Sequence, residues 1–419
     1  MRSFQSFALA IAGLLLAGPA QAADPWLGVW GFPPIPVPAS AKPKPVTQPA
    51  NVPVPPLLIE NPGGVSLVDP PADLGDFTMR QLVRVSAAGK SIRLHFSNED
   101  GDEALVIGTV HVAKAGPDGS ALPGSDRVVR FDGKPGVTIP SWAPYDSDPV
   151  DVDVGALDRL VISIYVPGPA RRSGHILYQY ASPGDQTGSA SLPAQKLMRL
   201  PALVTRVDVA PIGAGGSIVA LGDSITEGAH STVNAFRSWP DRLAERLAER
   251  HAPWSVVNEG IGGNRLVRHV TGPNALARMD RDVLAVPGVK IVVLMEGIND
   301  IGRTFTPEAE QEPSTLEQLE SVVRQIVGRA HDRGLIVWGA TLTPYEGAHY
   351  YAQAGGQMRA AFNDWIRNGH VFDQVLDFDQ ALRDPAHPSQ MDARFDSGDH
   401  LHPNDAGYAA MAAAIPLPP

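Results

Sequence analysis

The chain has 419 residues, 43% of them hydrophobic and 19% charged, which is ordinary globular usage and excludes a wholly disordered protein. Its length exceeds the ~250–300 residues at which a single core stops growing, so two modules are expected. Lys and Arg number 34 against 45 Asp and Glu, a net charge of −11 that argues against a nucleic-acid partner; the absence of cysteine excludes disulfides, thiolate chemistry and Cys-ligated zinc.

Residues 1–22 have the pattern of an export signal: Arg2 gives a positive start, 7–16 is apolar, and Ala20-Gln21-Ala22 offers small residues for cleavage. The apolar run is short against the ~20 residues that span a bilayer, so cleavage is expected rather than anchoring, giving a secreted or periplasmic protein with no integral membrane segment. Residues 23–57 are a proline-rich lead-in (Pro33-Pro34, Pro36, Pro38, Pro43, Pro45, Pro53, Pro55-Pro56), whose missing backbone donors favour extended, unpaired chain. Trp26, Trp30 and Phe32 lie within it, placed to dock on a neighbouring domain or on a partner.

Over 58–206 the signals are those of strands, at 79–86, 91–97, 104–112, 127–131, 150–154 and 160–166, rich in Val, Ile and Leu and separated by Ala88-Gly89, Asp100-Gly101 and Asp132-Gly133. An antiparallel β-sandwich, jelly-roll-like, is expected, with Asp100, Asp102 and Glu103 forming a solvated turn rather than a calcium loop. Over 207–419 the pattern changes. Apolar strands at 217–221, 255–257, 290–295, 335–340 and 375–378 alternate with helical stretches at 239–250, 316–331 and 357–367. That alternation predicts an α/β fold with a parallel sheet, whose chemistry gathers at the carboxyl ends of the strands.

Several of those ends carry unusual residues. The first is followed by Gly222-Asp223-Ser224-Ile225-Thr226-Glu227-Gly228, a serine passing from strand into helix, where it is exposed and its amide can face a developing anion. The second is followed by Asn258-Glu259-Gly260-Ile261-Gly262-Gly263-Asn264, whose glycines allow close backbone approach. The third ends in Glu296-Gly297-Ile298-Asn299-Asp300, where a side-chain amide can donate to an oxyanion without bringing a charge. Near the C-terminus stands Asp399-His400-Leu401-His402-Pro403-Asn404, in which an aspartate three residues before a histidine can fix its tautomer.

These four blocks, in this order, resemble the SGNH hydrolases, the GDSL esterase/lipase family, over about Ser217 to the C-terminus. The resemblance implies a flavodoxin-like sheet of about five parallel strands and a carboxylic ester hydrolase without metal or organic cofactor. Carried over, it makes Ser224 the nucleophile, Asp399 and His402 the rest of the triad, and Ser224, Gly263 and Asn299 the oxyanion hole. His402 is preferred to His400 for its proline and its spacing from Asp399, Gly263 is preferred to Gly260 and Gly262, and Asp223 is given the structural role of bonding loop amides.

The stretches 237–241, 260–265 and 396–404 are similar to those of an exported, two-domain arylesterase or acylhydrolase-like subgroup. That similarity is of subgroup and not of substrate. The pairing of a jelly roll with this catalytic fold resembles several two-domain carbohydrate acetylesterases, which makes an acetylated polysaccharide the first candidate, with aryl esters beside it, and the small residues and few aromatics of the helical segments point to short acyl groups. The N-terminal strands are expected to shape access rather than take part in chemistry. An envelope O-acyltransferase using the same triad, and a non-catalytic glycan-binding protein, are the alternatives.

Overall fold

The protein is described here from a computed structural model covering residues 26–36, 58–59, 65–71, 74–169, 174–213, 215–305 and 313–418. The export signal at 1–22 lies outside the described residues, as does most of the lead-in. Among the described residues no helix is long and apolar enough to cross a membrane.

Five strands, Ser217–Gly222, Ser255–Gly260, Val289–Met295, Ile336–Ala340 and Gln374–Leu376, form one parallel sheet in the spatial order second, first, third, fourth, fifth. This is the flavodoxin-type order, with its switch point beside the first strand. Every residue of Ser217–Gly222 is buried because helices cover both faces, which is why these strands read as unbroken apolar runs. Those helices are well started: Ser238 and Asp241 form a capping box on Trp239–Glu249, and Thr315 and Gln318 form another on Leu316–His331. The predicted helix at 357–367 extends to Gln353–Asn368, and Phe378 opens a helix, Phe378–Leu382, rather than closing the last strand.

The N-terminal half holds two larger antiparallel-type sheets. One places Leu27–Gly31, Val204–Pro211, Gly89–Ser97 and Pro144–Asp146 side by side; the other has seven strands centred on Gly75–Arg84 and Arg159–Pro169, with one parallel pair at its edge. Residues of both share one apolar core. The predicted strand 104–112 is two, Leu105–Ile107 and Val110–Lys114, and the first of these leaves to pair with Val137–Ile139. Residues 150–154 make only isolated bridges to Gly89 and Ile92, and in 127–131 the strand is confined to Arg127–Val128, with Phe131 making an isolated bridge to Lys134. Asp100 is buried rather than solvated, its carboxylate occupying the space that Gly174 leaves by lacking a Cβ; Asp102 and Glu103 are exposed.

Two expectations about organisation need correcting. A division at 206/207 cuts through the strand Val204–Pro211, which pairs wholly with antiparallel partners. The lead-in, moreover, contains the strand Leu27–Gly31, which lies between the two halves of the protein. The Gly28 amide donates to the Pro287 carbonyl at 2.9 Å, while the Ser217 and Ser255 hydroxyls reach the Gly28 carbonyl at 2.9 and 2.6 Å. Ser86 sits 2.6 Å from the Val29 carbonyl and accepts from the Val256 amide at 2.9 Å. Trp30 and Phe32 stack on each other and Arg93 lies over Trp26, so these aromatics dock within the chain.

Close approach of this strand requires glycine. A Cβ on Gly31 would come within 2.5 Å of both Val257 Cγ1 and Glu259 Oε1. Gly31→Ala is therefore expected to lower unfolding free energy by about 1–3 kcal/mol in denaturant titration. Gly328→Ala, in open space mid-helix, should instead gain up to ~1 kcal/mol. Equal stability of Gly31→Ala and the parent would mean the strand does not seat against the parallel sheet as described.

Candidate active site

The first strand of the parallel sheet ends at Gly222, and a single helical turn, Ser224–Glu227, begins at once. Asp223 caps that turn, its Oδ1 accepting from the Ile225 amide at 2.9 Å. This satisfies an orphan donor and leaves Ser224, half-buried, at the carboxyl edge of the sheet. The opposite wall comes from the segment before the last helix, Asp405–Ala413, whose cap, Asn404, accepts from the Ala406 and Gly407 amides.

Within that segment His402 Nδ1 lies 2.6 Å from Asp399 Oδ2, and its Nε2 lies 2.9 Å from Ser224 Oγ. A carboxylate accepts, so Nδ1 carries the ring hydrogen and Nε2 is left to accept from the serine hydroxyl. The second oxygen, Asp399 Oδ1, accepts from Ser397 Oγ and the Leu401 and His402 amides. Burial pushes the Asp399 carboxyl up, but the bond from His402 and that ring's charge prevail and hold it well below the usual carboxylate range. His400, the rival, points elsewhere: it is exposed and its Nδ1 pairs with Asp396 Oδ2 at 2.6 Å.

The glycine block folds against the serine turn. Asn258 ties the two together, donating from Nδ2 to the Thr226 carbonyl at 2.9 Å and accepting the Gly260 amide on Oδ1 at 2.9 Å. Gly262 faces Ser224 so closely that an added Cβ would lie 4.0 Å from the serine Cβ, and Gly263 adopts φ +75°, a left-handed conformation that suits glycine. Asn299, buried in the first turn of Ile298–Thr304, donates from Nδ2 to the Asn264 carbonyl at 3.0 Å, which uses one of its two amide hydrogens. Its Oδ1 accepts from Tyr350 Oη at 3.4 Å, which fixes the orientation of the amide.

Tyr350 was invisible as a site residue in the sequence, and so were two others. Arg278, 1% exposed, donates to the Gly222 and Glu259 carbonyls at 2.8 and 2.6 Å and to Asn264 Oδ1 at 3.0 Å, joining the ends of two strands to the glycine block. His230 stacks on His402 with ring centroids 4.8 Å apart and brings Nε2 to 3.4 Å from Asp399 Oδ2. His230 directly follows the serine block, but nothing in its spacing reveals that it meets Asp399 in space. Among the described residues His230, Asp399 and His402 form the one group whose ligand-type atoms lie within 4.8 Å of each other, and two of these three belong to the predicted triad.

The region matched by the GDSL-like Lipase/Acylhydrolase family is residues 220–410, which includes the five predicted site residues. Fold and match together define a carboxylic ester hydrolase. Residues 220–410 thus carry a GDSL-like lipase/acylhydrolase domain, of the SGNH hydrolase type. Among solved structures, an acetylxylan esterase from Geobacillus stearothermophilus is 22% identical, with 48% of this chain aligned to 93% of that one at a TM-score of 0.37. A GDSL-like lipase from Bacteroides thetaiotaomicron is 16% identical (47% of this chain, 84% of that one, TM-score 0.36), and a second acetyl xylan esterase is 19% identical (47% and 96%, TM-score 0.37). No curated protein matches the chain.

Beneath the site, Asp223 is fully buried, and its second oxygen has no partner among the described residues. Burial pushes its carboxyl up to about 7 against the bond from the Ile225 amide. The unfolded chain gives up this proton near its ordinary value, whereas the folded chain keeps it until about pH 7. The group's contribution to stability is thus undiminished at acid pH and is lost as pH rises across that interval. Asp223→Asn, which keeps the acceptor for Ile225, should therefore lose less thermal stability than the parent between pH 5 and 8. Parallel melting curves for the two proteins across that range would contradict a buried, protonated Asp223.

Proposed function

We propose that the chain hydrolyses short-acyl carboxylic esters through an acyl-enzyme on Ser224, after export directed by residues 1–22. The observation that carries this is the continuous line from Asp399 through His402 to Ser224, with separations of 2.6 and 2.9 Å. His402 Nε2 takes the hydroxyl proton as Ser224 Oγ attacks the ester carbonyl carbon, and returns it to the departing alcohol. Water then attacks the acyl group by the same route and releases the acid, restoring the serine.

The charge that develops on the carbonyl oxygen is met by the amides of Ser224 and Gly263 and by the second Nδ2 hydrogen of Asn299. Asn264 and Tyr350 hold the Asn299 amide in place beforehand, so no reorganisation is needed as the charge forms. For the alcohol portion, acetylated glycans and aryl alcohols are the classes we propose. A cavity of about 430 Å³ lies between Glu227 and His230 on one side and Tyr178 and Arg199 of the N-terminal half on the other, and Ser224 and His402 are not among the residues that line it. In this reading the N-terminal half, about 58–211, is an accessory module joined to the hydrolase.

Ser224→Ala removes one hydroxyl at a half-buried position and should leave melting temperature and circular dichroism unchanged. Its turnover of an aryl acetate should fall by up to ~10⁶. Asn299→Ala is expected to lose ~10²–10³ in turnover, the cost of one oxyanion donor. Chelation with EDTA should leave the rate unchanged. Near-normal turnover by pure Ser224→Ala protein would falsify the mechanism.

A further inference from the structure

His175 belongs to the antiparallel half, yet its ring reaches the serine turn. It is 6% exposed and stacked on Phe32 at a centroid distance of 3.7 Å. Its Nδ1 lies 2.8 Å from the Pro33 carbonyl and its Nε2 lies 3.1 Å from Glu227 Oε1. A carbonyl oxygen can only accept, so Nδ1 carries a hydrogen. The contact between Nε2 and the carboxyl group needs a second one, on the ring or on Glu227. The pair is thus held by a shared proton, in a place closed to solvent on the ring side.

Glu227 is the last residue of the turn that Ser224 opens. Its other oxygen, Oε2, lies against Gly262, where an added Cβ would come within 2.8 Å of it. Among the described residues His175 is the only side chain that bonds the Glu227 carboxyl group. The carboxyl group therefore sits between the segment Phe32-Pro33, just after the strand Leu27–Gly31, with His175 on one side and the two loops that carry the proposed catalytic groups on the other.

We infer that His175 and Glu227 are positioning residues for Ser224 and the Gly262–Gly263 peptide, so that the N-terminal half completes the catalytic site instead of only bordering it. The inference rests on the assignment of Ser224 as nucleophile. Removing either partner frees the other and lets the serine turn and the glycine block shift relative to each other. Misplacement of reacting groups by about 1 Å costs up to ~10²-fold in rate.

The test uses the full-length chain with His175→Ala, Glu227→Ala, the double variant and Glu227→Gln, assayed on an aryl acetate beside the parent and Ser224→Ala. The side-chain amide of Glu227→Gln can donate to Nε2 of a ring that keeps its Nδ1 hydrogen, so it preserves the contact. Turnover of each alanine variant should fall about tenfold or more with KM nearly unchanged. The double variant should be no slower than the slower single one, and Glu227→Gln should recover most of the loss. His175→Phe, which keeps a ring on Phe32 but removes the contact with Glu227, replaces His175→Ala if that variant does not fold.

A loss confined to KM, additive losses, or a Glu227→Gln rate as low as that of Glu227→Ala would each overturn the positioning role. Inactive Ser224→Ala beside unaffected alanine variants would overturn it while leaving the serine mechanism standing. An active Ser224→Ala would overturn that mechanism, and this role with it.

Discussion

The geometry of the site depends on one buried guanidinium. Arg278 lies beneath the carboxyl ends of the first two strands and takes the Gly222 and Glu259 carbonyls where the chain leaves each strand. Its remaining contacts are Asp282 at 3.0 Å, Asn264 Oδ1 at 3.0 Å and, more distantly, Glu296 at 3.8 Å. A cation with no access to water is held only if several acceptors surround it, and breaking such a group leaves uncompensated charge at a cost of roughly 3–5 kcal/mol. The acceptors it selects are the carbonyls from which the serine turn and the glycine block depart, so the direction of both loops is set from below.

From there the constraint passes upward through hydrogen bonds rather than through flexible side chains. Asn264 is fixed by Arg278 and by the Thr271 and Pro273 carbonyls, and its own carbonyl receives Asn299. Asp300, pushed up to about 6 by burial, accepts the Leu266 and Val267 amides and holds the next part of the same loop. The proposed oxyanion donors thus adjoin a lattice of buried polar groups, most of them paired, with Asp223 Oδ2 and Glu296 Oε2 among the exceptions. Such fixed dipoles stabilise developing charge better than solvent, which must turn to meet it. The carboxyl groups around Arg278 that burial pushes upward, Glu259 and Glu296 among them, keep the negative charge there from accumulating.

Three of the proposed site residues, Ser224, Gly263 and Asn299, stand out in the sequence because each lies in a short block directly after an apolar strand. The strands themselves were legible because burial on both faces leaves continuous runs such as 290–295. What escaped is set by contacts distant in sequence. Nothing near Arg278 signals that it lies under Gly222, and His175 is an isolated histidine until the fold brings Glu227 to it. Leu27–Gly31 was hidden because the prolines just after it describe extended unpaired chain, and they do so correctly for their own positions. Its pairing with Val204–Pro211 comes from a strand that starts nearly two hundred residues later. Residues 150–154 show the opposite failure, with a fitting alternation but no continuous partner to make it a strand.

The central claim is that Ser224 is the atom through which the acyl group passes. Exposure of the full chain to an organophosphonate, followed by intact mass measurement and peptide mapping, tests it without assuming a natural substrate. The account predicts one adduct per chain, located on Ser224, formed more slowly in the presence of a short aryl ester and accompanied by loss of hydrolysis in proportion to labelling. An adduct on another residue, or a fully labelled Ser224 in a protein that still hydrolyses esters, would contradict it.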